Sequence, residues 1–122
     1  TRGPGTGDLV VVRLPPTVQQ FAVAQGILAP GSTVLKRVAA MGGDRVCRVD
    51  RTVTINGRLV AIARLRDRNG IAFPSWTECL RLRSHELFVL GRSSGSFDSR
   101  YFGAVDRAAI MAVARPIWTF EN

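Results

Sequence analysis

Asn56-Gly57, set between Thr52–Ile55 and Arg58–Ile62, restricts the architecture of this chain more than any other segment. Both central positions of a tight hairpin turn need positive φ, which Asn and Gly adopt with little strain, and the flanking β-branched runs supply two antiparallel strands. Other stretches repeat the pattern. Leu9 to Leu14 is Val-rich and stops at Pro15-Pro16, and Val34 to Met41, Arg45 to Val49, Glu86 to Leu90 and Ile110 to Ala114 with Ile117-Trp118 read as further strands. Only residues 17–26, with Val18, Phe21, Ala22 and Gln25, carry helical spacing. Twelve Gly and six Pro turn the chain, and hydrophobic residues reach 46% of its 122 positions. The expected class is therefore all-β, with several short coiled antiparallel sheets and one short helix, in a single domain over residues 1–122. No apolar run approaches the roughly 20 residues that a membrane-spanning helix needs.

Of the 17 Lys and Arg residues, one is lysine, Lys36. The two-residue period of a strand puts Val34, Lys36, Val38 and Ala40 on one face and turns Arg37 to the other. An amine desolvated among apolar side chains gives up its proton, which Arg does not do, so Lys36 is a candidate base. The same pattern fits an edge lysine whose stem lies on the strand while its head reaches water. Farther along, Gly95-Ser96-Phe97-Asp98-Ser99-Arg100-Tyr101-Phe102-Gly103 packs hydroxyls, a carboxylate, a guanidinium and three aromatic rings between glycines. It reads either as a packed site loop or as a surface turn whose solvated charges are worth about 0 to 1 kcal/mol.

Other chemistry is less well provided for. Ser93, Ser94 and Ser99 do not sit beside the first strand, and His85 has no orienting acid in view, so a Ser/His/Asp triad is not expected. Ser84-His85-Glu86 reads as a turn before a strand. Cys47 and Cys79 have no further Cys or His at ligand spacing, so neither metal nor cofactor is expected; the pair is bonded or consists of two buried thiols. The net charge of +8 permits an acidic partner, but the arginines are scattered outside Arg64–Arg68 and Arg81–Arg83. That reads as a solvated surface with attraction to a bilayer, and no specific nucleic acid is expected.

The block from Lys36-Arg37-Val38 to Gly43-Asp44, followed by Ser96-Phe97-Asp98-Ser99-Arg100-Tyr101-Phe102-Gly103, resembles the type I signal peptidase family of serine/lysine proteases. The second block is most similar to the conjugative-transfer (TraF-type) branch, which matures pilin subunits. Gly7-Asp8-Leu9-Val10 is similar to the strand that follows the nucleophile in this family. The resemblance implies that Lys36 is the general base, that Ser96 orients its amine, and that Asp98 and Arg100 form an internal ion pair holding the loop. It places the nucleophilic serine N-terminal to the Gly7-Asp8 strand, where this chain has Thr1 to Thr6 and no serine before Ser32. Nucleophile and membrane anchor are therefore expected upstream, leaving this chain inactive by itself. The implied substrate is a pilin or other pre-protein cut after small side chains, at the periplasmic face of the bacterial inner membrane. An oxidising compartment would favour a Cys47–Cys79 bond. A catalytically silent peptide-binding scaffold in a transfer complex is the alternative function.

Overall fold

The structure, a computed structural model, describes residues 3–114. The chain runs β1 (Leu9–Val12), α1 (Pro16–Ala24), β2 (Val34–Met41), β3 (Arg45–Val49), β4 (Thr52–Ile55), β5 (Arg58–Ile62), β6 (Glu78–Arg81), β7 (Glu86–Leu90), α2 (Ser99–Phe102), β8 (Val105–Asp106) and β9 (Ile110–Ala114). The strands form a five-stranded sheet in the order β8-β7-β2-β1-β9 and a four-stranded sheet in the order β5-β4-β3-β6. Every pairing between them is antiparallel. The all-β class with one short helix is thus the observed one, α2 being a single four-residue turn. The expected strand residues Ile117-Trp118 lie outside the described residues.

The β4–β5 hairpin turns as its sequence dictates, with Asn56 at φ 51° and Gly57 at φ 84°. Asn56 also fastens this hairpin to its neighbours. Its Oδ1 accepts from Arg45 N at 2.9 Å, and its Nδ2 donates to Asp44 Oδ1 at 3.0 Å. Asp44 Oδ2 in turn accepts from Met41 N at 2.9 Å. The Gly-Asp end of the lysine block is therefore a corner joining β2, β3 and the hairpin. The Met41 N–H, then the Asn56 amide, hold the Asp44 carboxyl below the ordinary carboxylate range.

Two hydrophobic clusters fill the molecule, and β2 contributes to both. Val10, Val12, Val38, Val89 and Tyr101 belong to the first, which α1 covers with Ala22 and Phe21. Ala40, Val46, Val53 and Phe88 belong to the second, where the two sheets meet. Strict alternation would have kept Val38 and Ala40 on one face, and the structure corrects that expectation. The register shifts between them, so that Val38 opposes Val89 while Ala40 opposes Phe88. Adjacent residues on β7 point to opposite sides of the sheet, and a bulge at Ala39 makes β2 do the same. Lys36 and Val38 stay on the side of the first cluster.

β6 is an edge strand with all four residues exposed. Its place is fixed by pairing with β3, in which Cys47 lies directly opposite Cys79. The two are bonded, with Cα atoms 4.0 Å apart and a sequence separation of 32. Closing a loop of that length is expected to stabilise the fold by about 3 to 4 kcal/mol. Intact mass with and without reductant checks the bond, and denaturant unfolding of Cys47→Ser/Cys79→Ser checks the magnitude. Two alkylatable thiols in protein purified without reductant would contradict it.

Candidate active site

Lys36 faces Val10 across the β1–β2 pairing. On its other side β2 pairs with β7 only from Arg37 onward, opposite Leu90, so among the described residues the edge at Val34–Lys36 carries no strand. Beyond Leu90 the chain departs at Gly91, and this glycine is there for want of space. A Cβ on Gly91 would collide with Ser96 Oγ and would stand 3.1 Å from Lys36 Nζ. Amine and hydroxyl thus converge on one point beside the Gly91 backbone. Both side chains belong to half-buried residues. Nζ has no hydrogen-bond partner among the described residues, so the amine is held close to Ser96 without being bonded to it. Burial is the largest influence on its proton affinity and lowers the pKa below 10.5; the Asp98 carboxylate acts the other way, and Arg100 adds to the lowering.

Asp98 and Arg100 form the ion pair that sets the shape of the loop. Asp98 is fully buried and Arg100 is 4% exposed. Asp98 Oδ1 accepts from Arg100 Nε at 2.8 Å and from Arg100 N at 3.1 Å, while Oδ2 accepts from Nη2 at 3.0 Å. The remaining capacity of Oδ2 takes Gly91 N at 2.8 Å, so the carboxylate fixes the residue that backs the lysine. The guanidinium spends its other donors on Ser94 O, Ser93 O and Ile62 O. A residue pair two positions apart in sequence thereby pins both the loop over residues 93–96 and the end of β5. Ser99 is fully buried, its Oγ accepting from Val89 N at 2.9 Å, which leaves it no role as a nucleophile. Ser93 Oγ accepts from Gly95 N and shapes the turn.

Arg48 and Trp76, to which sequence reasoning gave no role, complete the surroundings together with Tyr101, read there as part of a packed loop. Arg48 is 2% exposed and donates from Nη1 to Arg100 O at 2.8 Å. Trp76 donates from Nε1 to Ser99 O at 3.0 Å. Tyr101 OH accepts from Arg64 N at 3.0 Å while its ring stacks on Phe73 at 4.3 Å. For Arg48 the hint in the sequence is its two-residue spacing from Val46, which turns both inward. His85 also needs correcting, because it does have an acid: Asp106 Oδ2 lies 3.0 Å from its Nδ1. That pair is exposed at the β7–β8 edge, and Asp106 caps the following turn through Ala108 N, so it belongs to local structure.

On the other side of β1 and β2, Leu9, Leu35, Arg37, Leu90 and Arg92 line a groove of about 600 Å³ that reaches Lys36 and Gly91. Leu35 is 56% exposed there, a large apolar side chain on an open face. Arg37 lies on the face opposite the amine, as alternation predicts, and bonds Gly7 O.

Comparison with known proteins bears on the family and the fold. Residues 1–119 match the family model described as signal peptidase, peptidase S26. A conjugal transfer protein TraF of Agrobacterium tumefaciens (strain 15955) is 34% identical over 126 aligned positions, covering 94% of this chain and 69% of that protein. A plasmid transfer protein TraF of Escherichia coli is 34% identical over 122 positions, covering 90% and 69%. Signal peptidase I of Enterococcus faecalis V583 shares the fold, with a TM-score of 0.53 at 23% identity over 93% of this chain and 98% of its own.

Proposed function

The chain belongs to the signal peptidase family, peptidase S26, and from that premise we propose that it is the base-carrying domain of a serine/lysine endopeptidase that processes pilin-type or signal-peptide-bearing precursors in conjugative transfer. One observation carries the reading. The only lysine of the chain stands half-buried beside Gly91 and Ser96, without a hydrogen bond among the described residues and with its pKa lowered chiefly by burial. A neutral amine so placed can take the proton of a serine hydroxyl as it attacks the scissile carbonyl, then return it to the departing amine. The same amine activates the water that releases the acyl group. The serine comes from a segment upstream of Gly7-Asp8, which also anchors the protein at the periplasmic face of the inner membrane. The open edge of β2 at Val34–Lys36 receives the precursor as an added strand, the mode in which main-chain bonds give affinity and neighbouring pockets give specificity. Ser96 orients the amine, and Asp98 with Arg100 holds Gly91 and the loop in place.

The test uses the protein with its upstream segment restored and a pilin precursor as substrate, read by mass spectrometry. Cleavage is expected from the longer protein and none from residues 1–122. Equal cleavage by the 122-residue chain would place the nucleophile within it. Binding of the precursor by the longer protein without cleavage would favour a peptide-binding scaffold instead.

A further inference from the structure

The setting of Lys36 depends on the main chain of α2 as well as on its side chains. Ser99 O and Arg100 O are consecutive carbonyls of this turn, and each takes a donor from the segment joined by the disulfide: Trp76 Nε1 at 3.0 Å and Arg48 Nη1 at 2.8 Å. Arg48 follows Cys47 directly, and its own carbonyl accepts from Thr77 Oγ1 at 3.2 Å, so Cys47–Cys79 closes a small frame around both donors. Arg48 also donates from Nε to Asp50 O at 2.8 Å. Among the described residues it is a buried cation whose hydrogen bonds all go to carbonyl oxygens, with no carboxylate to neutralise it. Desolvating a guanidinium is costly, and a neutral side chain would tie two strands together with less penalty. What the guanidinium supplies is a rigid, long-reaching donor for Arg100 O.

We propose that Arg48 and Trp76 are positioning residues for the Lys36 amine, acting through the backbone of the Ser99–Phe102 turn, with the Cys47–Cys79 bond keeping the two donors in register. The proposal rests on Lys36 being the base, as above. Asp98 caps this turn and holds Gly91 N, and Gly91 backs both Nζ and Ser96, so a displaced turn opens the lysine to water. Asp98 and Arg100 are the charged groups that act on the amine, and Arg37 and Arg92 stand at the neighbouring groove.

Because Lys36 is the only lysine, protein grown with lysine labelled with ¹³C at Cε gives one ε-methylene signal, whose titration reads the amine without any need for cleavage. Trp76→Phe removes the Nε1 donor and keeps a ring against Phe88; it is expected to move the titration upward, towards that of free lysine. Arg48→Met and Cys47→Ser/Cys79→Ser should move it the same way, and Arg48→Gln, which retains an N–H donor, should recover part of the shift. In the longer protein the same variants should lower kcat at pH 7 several-fold while leaving KM within about twofold. Variants that melt earlier yet leave the Lys36 titration at its parental position would overturn the proposal and make the two bonds merely structural. Should Arg48→Met fail to fold, Trp76→Phe decides alone. If the parental longer protein cleaves nothing, the base reading fails, while the titration still reports whether these donors position the amine.

Discussion

In the protein carrying its upstream segment, Lys36→Met and Lys36→Arg are each expected to slow precursor cleavage by about a thousandfold or more, the range that a positioned general base supplies. Methionine has no proton acceptor, and arginine keeps its charge at any workable pH. The two variants should separate in stability. Burial lowers the Lys36 pKa, so the folded state binds its proton less readily than the unfolded chain does. The resulting penalty is fully present below the folded-state pKa and disappears as pH rises towards the ordinary lysine value. Lys36→Met removes it and should unfold at a denaturant concentration no lower than the parent at neutral pH, while Lys36→Arg places a permanent charge in the same pocket and should unfold earlier. Near-parental cleavage by Lys36→Met would remove the serine/lysine mechanism, whatever the stability result.

Asp98→Ala and Arg100→Ala should each destabilise the fold by about 3 to 5 kcal/mol, since either change leaves a buried, uncompensated charge. The loss is expected to be unequal. Without Asp98, the Arg100 guanidinium still has Ser93 O, Ser94 O and Ile62 O; without Arg100, the Asp98 carboxylate keeps Gly91 N and the N–H of residue 100. The double variant should cost less than the sum of the two, because the second change removes the charge that the first one stranded. Urea unfolding of the three variants measures this directly. Midpoints within experimental error of the parent for both single variants would make the loop a solvated turn, and the support of Gly91 and Lys36 would have to come from elsewhere.

Much of this arrangement was written locally. The Asn56-Gly57 turn, the Val-rich strands and the lone amine each declare themselves within a few residues, whereas the pairing of Asp98 with Arg100 came from the family resemblance of their block. What escaped depends on partners far away. β6 has no alternation of its own, because an edge strand exposed along its length takes its conformation from β3 and the disulfide. The Ser99–Phe102 turn is too short for helical spacing to register, and it is held by donors from residues 48 and 76. Arg48 was hidden among sixteen arginines, where nothing in the composition distinguishes a buried cation from a solvated one. The Ala39 bulge has no sequence signature, since a period of two carries no record of where it slips.

That bulge also governs how the chain can change length. β2 serves two cores only because one extra residue at Ala39 reverses its facing between Val38 and Ala40. Deleting a single residue there would restore unbroken alternation and send either the lysine end or the Ala40 end of the strand to the wrong side. Side-chain replacements along β2 are thus a matter of degree, whereas an insertion or deletion of one residue is a matter of parity. A one-residue insertion or deletion in β2 is therefore expected to disturb the fold more than a substitution at the same position.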